Sequence, residues 1–319
     1  MNEKPLVTFA LFAYNQEKFI REAVEGALAQ TYSPLQIILS DDCSPDDTFE
    51  IMEEMAKKYS GPHEIILNRN KKNLGLVGHI NAATKLANGE FIVVAAGDDI
   101  SLPERTSKLL AFYLNSNRPA VVFSDCEEID NDGNLWPGTP TGQIEQTISE
   151  FFRNPITRGA THAWCKEIIT KFQDVNESVT NEDMVMTARA YMLGRPPKML
   201  REKLIKYRRD AQRSKGSADL AVKFFWQIWP YYSATRQYLE DIKQIDSIDD
   251  ELNNVVTFSA KKEKLKIDLI RAKSIIDTGE KAWNILTRFG INELVKIWVI
   301  RCGKLTQREK ELLRLDSLL

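Results

Sequence analysis

The chain has 319 residues, of which 43% are hydrophobic and 28% are charged, and its formal net charge is −2. This composition is typical of a soluble globular protein and argues against disorder. Because the chain has no overall positive charge to attract phosphate backbones, we expect no nucleic acid among its partners.

The first 130 residues alternate between short apolar runs and amphipathic segments. The apolar runs predict strands at 6–14, 35–39, 64–67, 91–95 and 120–124. The amphipathic segments predict helices at 19–30, 48–59, 80–87 and 105–115. This alternation indicates βαβ units and a mainly parallel sheet. Strands that are apolar throughout are typical of a sheet covered by helices on both faces.

The pattern changes after residue 130. Residues 131–142 contain a turn and a loop rich in proline and glycine, and 148–193 is mostly of helical type with a break near Gly159. The segment 218–319 is helical almost throughout, with many lysines and glutamates. The predicted units are a domain at 1–215, with halves at 1–130 and 131–215, and a helical C-terminal region at 216–319.

Polar residues at the ends of the predicted strands are the first candidates for a site, because ligands of open parallel sheets bind beyond the carboxyl ends of strands. Tyr14–Asn15, Asp41–Asp42 and Asp98–Asp99 stand at such ends. We therefore expect them at one edge of the sheet. For Asp41–Asp42 the alternative is a turn and helix cap before Thr48, since aspartate is common in both.

Asp98 and Asp99 predict a metal site. Two adjacent carboxylates repel each other unless a cation lies between them. Mg²⁺ and Mn²⁺ take oxygen ligands, and such ions typically use one or two carboxylates together with substrate phosphates. The alternative is that one aspartate caps a helix that begins near Pro103.

Four segments, 7–32, 37–48, 73–81 and 86–103, follow one another in an order that matches a known family. They resemble the inverting family 2 glycosyltransferases of the GT-A fold, of the type that builds bacterial surface glycans. The resemblance covers about residues 5–130 and continues more weakly at 159–161, 181–183 and 207–214. It implies an α/β, Rossmann-like, mainly parallel sheet flanked by helices and followed by a helical C-terminal region.

The resemblance implies transfer of a sugar from a nucleotide-diphosphate donor, a UDP-sugar in the first instance, to a hydroxyl of a glycan or lipid-linked acceptor. It places the Mn²⁺ or Mg²⁺ ion on Asp98 and Asp99, although Ala96 stands where the family's motif usually begins with aspartate. The implied nucleotide-sugar contacts are Ala13, Tyr14, Asn15, Asp41, Asp42, Asn73, Gly75, Asn81, Asp98, Arg208, Arg209 and Arg213.

The resemblance also implies a general base, since an inverting transfer needs a carboxylate that removes the proton of the acceptor hydroxyl. Asp183 falls at the family's acidic motif, at the start of a predicted helix. An acid at a helix N-terminus is the alternative, because the helix dipole favours negative charge there. The acceptor contacts that we expect are Thr161, His162, Trp164 and Glu182.

The segment 285–305 is apolar on one side and carries four basic residues. This pattern predicts a membrane-surface face, a homodimer contact or ordinary helix packing. A cytoplasmic location is predicted from the four widely spaced cysteines, the absence of a leader pattern and the absence of a long apolar span. If 285–305 is a membrane-surface face, this location is at the inner face of the cytoplasmic membrane.

Two other functions compete with sugar transfer. A nucleotidyltransferase also uses an α/β domain and acidic metal ligands, but it needs a glycine-rich phosphate loop after the first strand, where this chain has Ala13–Asn15. A non-catalytic relative that binds sugar nucleotide is the second alternative, because of Ala96.

Overall fold

The structure of the chain is a computed structural model that describes residues 4–137, 144–209, 220–245 and 250–271. Arg213 lies outside these ranges. The same holds for the amphipathic segment 285–305 and so for the expected membrane or dimer contacts of the last helices.

The described residues form eight strands and nine α-helices, with one 3₁₀ turn at Gly159–Thr161. The strands are β1 (Val7–Ala13), β2 (Leu35–Asp41), β3 (Glu64–Arg69), β4 (Phe91–Ala96), β5 (Ile100–Ser101), β6 (Val121–Ile129), β7 (His162–Cys165) and β8 (Lys198–Arg208). The helices are α1 (Ile20–Leu28), α2 (Thr48–Lys58), α3 (Gly75–Thr84), α4 (Arg105–Asn115), α5 (Ile148–Arg153), α6 (Glu167–Thr170), α7 (Glu182–Met192), α8 (Leu220–Ile242) and α9 (Asp250–Arg271).

The strands form one mixed sheet in the order β3-β2-β1-β4-β7-β6-β8-β5. Strands β1 to β4 pair in parallel, as the βαβ pattern predicts. Strand β7 is antiparallel to both of its neighbours, β4 and β6, while β8 runs parallel to β6. The sheet therefore contains strands from both predicted halves of the domain.

The central strands are buried because they are apolar along their whole length. All seven residues of β1 and all seven of β2 are buried. Their register pairs Ala13 with Asp41, and the register of β1 with β4 pairs Phe12 with Ala96. The three strands thus end at the same level, and the residues that follow them share one edge.

The region 148–193 differs from the mostly helical prediction. Helices α5, α6 and α7 are present, but β7 interrupts them, and β8 was not predicted at all. Strand β7 has only four residues, all of them buried, so it is too short to show a period of two. Strand β8 carries five lysines and arginines in eleven residues, and its register shifts twice against β6.

The described part of the C-terminal region packs on the sheet domain through α7 and α5. All eleven residues of α7 are buried. Arg189 on α7 forms a buried ion pair with Asp241 on α8, with Nε and Oδ2 2.8 Å apart. Among the helices in the described ranges, none is both long and apolar enough to cross a membrane.

Candidate functional site

A cleft of about 640 Å³ opens at the edge where β4 ends. Both predicted halves of the domain line it, with the loop after β4 on one side and the start of α7 on the other. Its lining residues are Leu76, Ala96, Asp98, Asp99, Thr157, Arg158, Gly159, Ala160, Thr180, Asn181, Glu182, Asp183, Tyr207, Arg208 and Arg209.

Asp98 and Asp99 form the turn between β4 and β5 at one wall of the cleft. The Asp99 side chain is buried, and its Oδ1 accepts a hydrogen bond from the backbone N–H of Arg208 at 2.8 Å. Burial and, after it, the nearby charge of Asp98 raise the pKa of Asp99 well above its usual value. Neither aspartate caps α4, because the N-cap of that helix is Glu104.

The second carboxylate oxygen of Asp99, Oδ2, is buried and has no hydrogen-bond partner. A buried carboxylate oxygen without a donor is costly unless a cation satisfies it. Within the described ranges, no group of three or more histidine, cysteine, aspartate or glutamate residues could hold a metal. Two carboxylates nevertheless fit a hard divalent ion, which completes its coordination with water and substrate phosphates.

Asp41 and Asp42 lie at the neighbouring strand end, and both carboxylates are buried. Asp41 Oδ2 accepts a hydrogen bond from the N–H of Ser44 at 2.9 Å, and Asp42 Oδ1 accepts from Asn70 Nδ2 at 2.8 Å and from the N–H of Leu74 at 2.9 Å. The two carboxylates therefore organise the loops around this edge. They do not line the cleft itself.

The other residues predicted to contact the nucleotide surround that edge. The Tyr14 side chain is 46% exposed, and Asn15 has a φ of 57°, with its N–H donating to Ser44 Oγ at 2.9 Å. Asn73 Oδ1 accepts from the N–H of Gly75, whose φ of 73° suits glycine.

Asn81 lies further along α3 and has a different environment. Its Nδ2 donates to the backbone O of Val175 at 2.7 Å, and its Oδ1 accepts from the N–H of Val175 at 3.2 Å. The side-chain amide therefore ties α3 to the loop before α7.

Glu182 and Asp183 face the cleft from the first turn of α7. Asp183 Oδ2 accepts a hydrogen bond from the N–H of Gly159 at 3.0 Å, and Oδ1 accepts from the N–H of Met184 at 2.8 Å. Burial raises the pKa of Asp183 above its usual value. Burial and then the charge of Asp183 raise the pKa of Glu182 to about 8. At neutral pH, Glu182 therefore holds a proton.

The close packing of Gly159 against Glu182 fixes this carboxyl group. A Cβ atom at position 159 would lie 2.5 Å from Glu182 Oε1 and 3.3 Å from Asp183 Cβ. A separation of 2.5 Å is too short for a non-bonded contact, so a side chain at this position must move the carboxyl group.

Arg208 lies at the end of β8 and donates four hydrogen bonds from its guanidinium group. Nε donates to the backbone O of Asp98 at 2.9 Å, Nη1 donates to the backbone O atoms of Asp130 and Asn131, both at 2.9 Å, and Nη2 donates to Glu22 Oε2 at 2.6 Å. The guanidinium group therefore holds the Asp98–Asp99 turn in place, and most of its N–H groups already have acceptors within the protein.

Arg209, the next residue, is more open to the cleft. Its side chain is 28% exposed and its Nη1 lies 3.9 Å from Glu128 Oε1. The guanidinium carbon lies 5.6 Å from the centre of the Trp136 ring. A guanidinium group held over a ring and partly exposed can reach phosphate oxygens.

The expected acceptor contacts at 161–164 are buried. Trp164 is fully buried in β7 between β4 and β6, so its ring cannot stack on a sugar in this structure. His162 is buried too, and burial together with the charge of Arg105 lowers its pKa to about 3. Thr161 Oγ1 donates to the backbone O of Arg158 at 2.8 Å. Of the expected acceptor residues, Glu182 lines the cleft and these three do not.

Arg158 and Tyr207 also line the cleft, although no pattern in the sequence marks either of them as a site residue. Arg158 Nη2 donates to Glu128 Oε1 at 2.8 Å, and its guanidinium carbon lies 4.5 Å from the centre of the Tyr207 ring. Arg158 directly precedes the segment 159–161 of the family resemblance, and Tyr207 is the first residue of the segment 207–214.

A mixed α/β sheet with one acid pair after its central strand and a second pair across a cleft is the arrangement expected of a GT-A glycosyltransferase. The profile of the family described as "Glycosyl transferase family 2" matches residues 8–173. Because this match spans more than half of the chain, the chain belongs to glycosyltransferase family 2 and is a glycosyltransferase. The predicted family, fold class and type of enzyme are thus confirmed.

The chain is also similar to named proteins of Bacillus subtilis and Escherichia coli. A protein of Bacillus subtilis named as glycosyltransferase EpsE is 29% identical over 219 residues, which are 67% of this chain and 77% of EpsE. Chondroitin synthase of Escherichia coli is 32% identical over 183 residues, which are 56% of this chain but 25% of that enzyme.

Solved structures share the fold. TarS 1-349 of S. aureus in complex with UDP-GlcNAc superposes with a TM-score of 0.60 at 16% identity, covering 96% of this chain and 83% of that one. In a longer TarS structure, the match covers 50% of the TarS chain. The mannosyltransferase PcManGT of Pyrobaculum calidifontis, in complex with GDP-Man and Mn²⁺, superposes with a TM-score of 0.54 at 14% identity. The match covers 99% of this chain and 88% of PcManGT.

Proposed function

We propose that this glycosyltransferase is a metal-dependent inverting enzyme. It moves a sugar from a UDP-sugar to a hydroxyl of a glycan or lipid-linked acceptor during synthesis of a bacterial surface polysaccharide. The observation that carries the proposal is the pair of acidic clusters, Asp98–Asp99 and Glu182–Asp183, that line one cleft. The UDP-GlcNAc complex of TarS and the name of chondroitin synthase support the donor and the acceptor class.

Asp98 and Asp99 are the residues that would hold Mn²⁺ or Mg²⁺. When bound, the ion supplies positive charge that stabilises the diphosphate as it leaves. The protein's own part is to hold the Asp98–Asp99 turn, and Arg208 does this through the backbone O of Asp98 and the carboxylate of Asp99. Arg209 is the arginine that we assign to the diphosphate, because its side chain lines the cleft and is partly exposed.

Asp183 is the general base in this proposal. Its carboxylate takes the proton of the acceptor hydroxyl while the hydroxyl oxygen forms a bond to the anomeric carbon and the bond from that carbon to the diphosphate breaks. The nucleotide diphosphate leaves from the opposite face, which inverts the anomeric configuration. The amides of Gly159 and Met184 fix the carboxylate in the direction of the cleft.

Calorimetry with UDP in the presence and absence of Mn²⁺ tests the donor site. We expect binding that depends on metal and is lost in Asp99→Asn. The matched control is Asp174→Asn, which changes an exposed aspartate that pairs with Lys85 outside the cleft. If the wild-type protein binds no UDP with or without Mn²⁺, and the other common nucleotides also fail, the donor-site proposal is wrong.

A screen of nucleotide sugars, scored by nucleotide release, tests turnover and identifies the donor. Ala96, at the position where the family's motif usually has aspartate, lines the cleft and favours the non-catalytic alternative. Binding without turnover across the screen would support that alternative. Membership of family 2 argues against the nucleotidyltransferase.

The cytoplasmic location, the membrane contact and the homodimer contact remain proposals. Flotation of the full chain with anionic liposomes tests the membrane contact, with a chain truncated after residue 277 as the comparison. Flotation that the truncation does not reduce would exclude the 285–305 face as the cause, and sedimentation of both chains tests the dimer.

A further inference from the structure

Arg105 is the first residue of α4, and its side chain is completely buried. A buried cation is costly because it loses its hydration. The N-terminus of a helix adds to this cost, since the helix dipole disfavours positive charge there. A charge in this position needs specific partners, and these partners show what the residue does.

The Arg105 guanidinium joins three elements by hydrogen bonds. Nη1 donates to Ser101 Oγ on β5 at 2.8 Å, and Nη2 donates to the backbone O of Val94 on β4 at 2.7 Å. Nη2 also donates to the backbone O of Ala160 at 2.6 Å. The first two partners lie on either side of the turn that carries Asp98 and Asp99. Ala160 belongs to the opposite wall of the cleft.

The link to Ala160 leads directly to the second acid pair. Ala160 follows Gly159, whose N–H donates to Asp183 Oδ2 at 3.0 Å. Gly159 also packs against the carboxyl group of Glu182. The position of the 3₁₀ turn therefore sets where the Asp183 carboxylate lies, and Arg105 sets the position of the turn.

We propose that Arg105 is a positioning residue that holds the general base in register with the metal-binding turn. This inference rests on the proposed function, in which these two walls carry the reaction. Arg105 does not line the cleft, so it acts through Ala160 and Gly159 rather than by touching substrate. Lysine cannot replace it, because a single amino group cannot reach acceptors that Nη1 and Nη2 approach from different sides.

Hydrogen exchange of the metal-free protein tests the positioning without any need for turnover. In Arg105→Lys we expect the amides of 157–165 to exchange about tenfold faster, since the loss of one or two hydrogen bonds has this order of effect. Exchange in 35–41 should stay unchanged. The matched control is Arg195→Lys, an arginine outside the cleft that also donates three hydrogen bonds.

The kinetic test uses UDP-GlcNAc, or the donor that the nucleotide-sugar screen identifies. We expect kcat to fall roughly 10- to 100-fold in Arg105→Lys, because a misplacement of about 1 Å has this scale of effect. KM for the donor and the Kd of UDP with Mn²⁺ should stay within about threefold, since the turn remains bound by Arg208. Unchanged exchange at 157–165, or a loss of UDP affinity that parallels kcat, would overturn the positioning role.

Ser101→Ala covers the case in which Arg105→Lys does not fold. It removes the Nη1 hydrogen bond and leaves the charge, so exchange at 157–165 should rise about two- to fivefold. No rise in a folded Ser101→Ala protein would count against the inference. A wild-type protein that binds no nucleotide would refute the proposed function, while the exchange data would still decide whether Arg105 positions the turn.

Discussion

The protonation of Glu182 leads to the sharpest prediction, which concerns Glu182→Gln. Burial and the charge of Asp183 raise the pKa of Glu182 from 4.5 to about 8 in the folded protein. Such a rise corresponds to on the order of 5 kcal/mol of folding free energy. Between about pH 4.5 and 8 the unfolded chain releases a proton that the folded chain keeps, so the stability of the wild-type protein falls as pH rises through this range.

Glutamine has nearly the shape of a protonated glutamate and does not titrate. Glu182→Gln should therefore match the wild-type protein in stability near pH 4 and exceed it by on the order of 5 kcal/mol above pH 8. Urea unfolding of the metal-free proteins at several pH values measures the difference. Glu53→Gln, which changes an exposed glutamate on α2, should not alter the pH dependence. Equal pH dependence in wild type and Glu182→Gln would refute the reasoning.

The same substitution separates the roles of the two acids. Since Glu182 already holds a proton at neutral pH, Glu182→Gln should keep turnover within about tenfold. Asp183→Asn should keep UDP binding and lose about 100-fold or more of the turnover, because the base is then absent. If Glu182→Gln loses as much turnover as Asp183→Asn, the assignment of the base to Asp183 is wrong.

Further changes test the geometry around the cleft and the packing of α7. Gly159→Ala should lower turnover about 10- to 100-fold with unchanged UDP affinity by calorimetry. Its Cβ would lie 2.5 Å from Glu182 Oε1 and 3.3 Å from Asp183 Cβ, so the backbone N–H that holds the Asp183 carboxylate has to shift. Arg208→Lys should lower the free energy of unfolding by about 2–4 kcal/mol in urea, since lysine replaces few of the guanidinium hydrogen bonds. Asp241→Asn should lower the free energy of unfolding by about 3–5 kcal/mol, because it leaves the buried charge of Arg189 without its charged partner. EDTA should abolish turnover, and Mn²⁺ should restore it.

Each of these outcomes has a result that contradicts it. A Gly159→Ala protein with wild-type turnover would show that the contact does not constrain the base. If Arg208→Lys keeps its stability but loses UDP binding, Arg208 contacts the donor after all. An Asp241→Asn protein as stable as wild type would show that Arg189 finds other acceptors. Turnover that survives EDTA would exclude a metal requirement.

The first half of the fold and its acidic edge follow from local sequence. The runs at 6–14 and 91–95 are apolar without interruption, so they predict buried strands, and parallel pairing places Asp41 and Asp98 at one edge. The start of α7 at Glu182 was also predicted, because acids are favoured at helix N-termini. These features depend on residues close together in the chain.

The features that sequence could not give depend on partners far apart in the chain. Arg208 belongs to a segment that resembles a phosphate-binding loop, but its acceptors at Asp98, Asp130 and Asn131 are backbone carbonyls that no pattern marks. Trp164 was itself expected to contact the acceptor. It is buried because β7 inserts between two strands of the first half. Such positions follow from topology and not from spacing.

The insertion of β7 between β4 and β6 has a consequence for how such an enzyme changes its acceptor. A chimaera that exchanges 131–215 with a relative has to rebuild four strand ladders at once. Strand β7 pairs with β4 and β6, and strand β8 pairs with β6 and β5. The loop 171–181, by contrast, has no strand in the sheet and leads directly to the cleft residues at the start of α7. Under the proposed function, a graft of this loop can change the acceptor contacts without breaking a strand ladder, provided that it keeps the two backbone bonds of Val175 to Asn81 on α3.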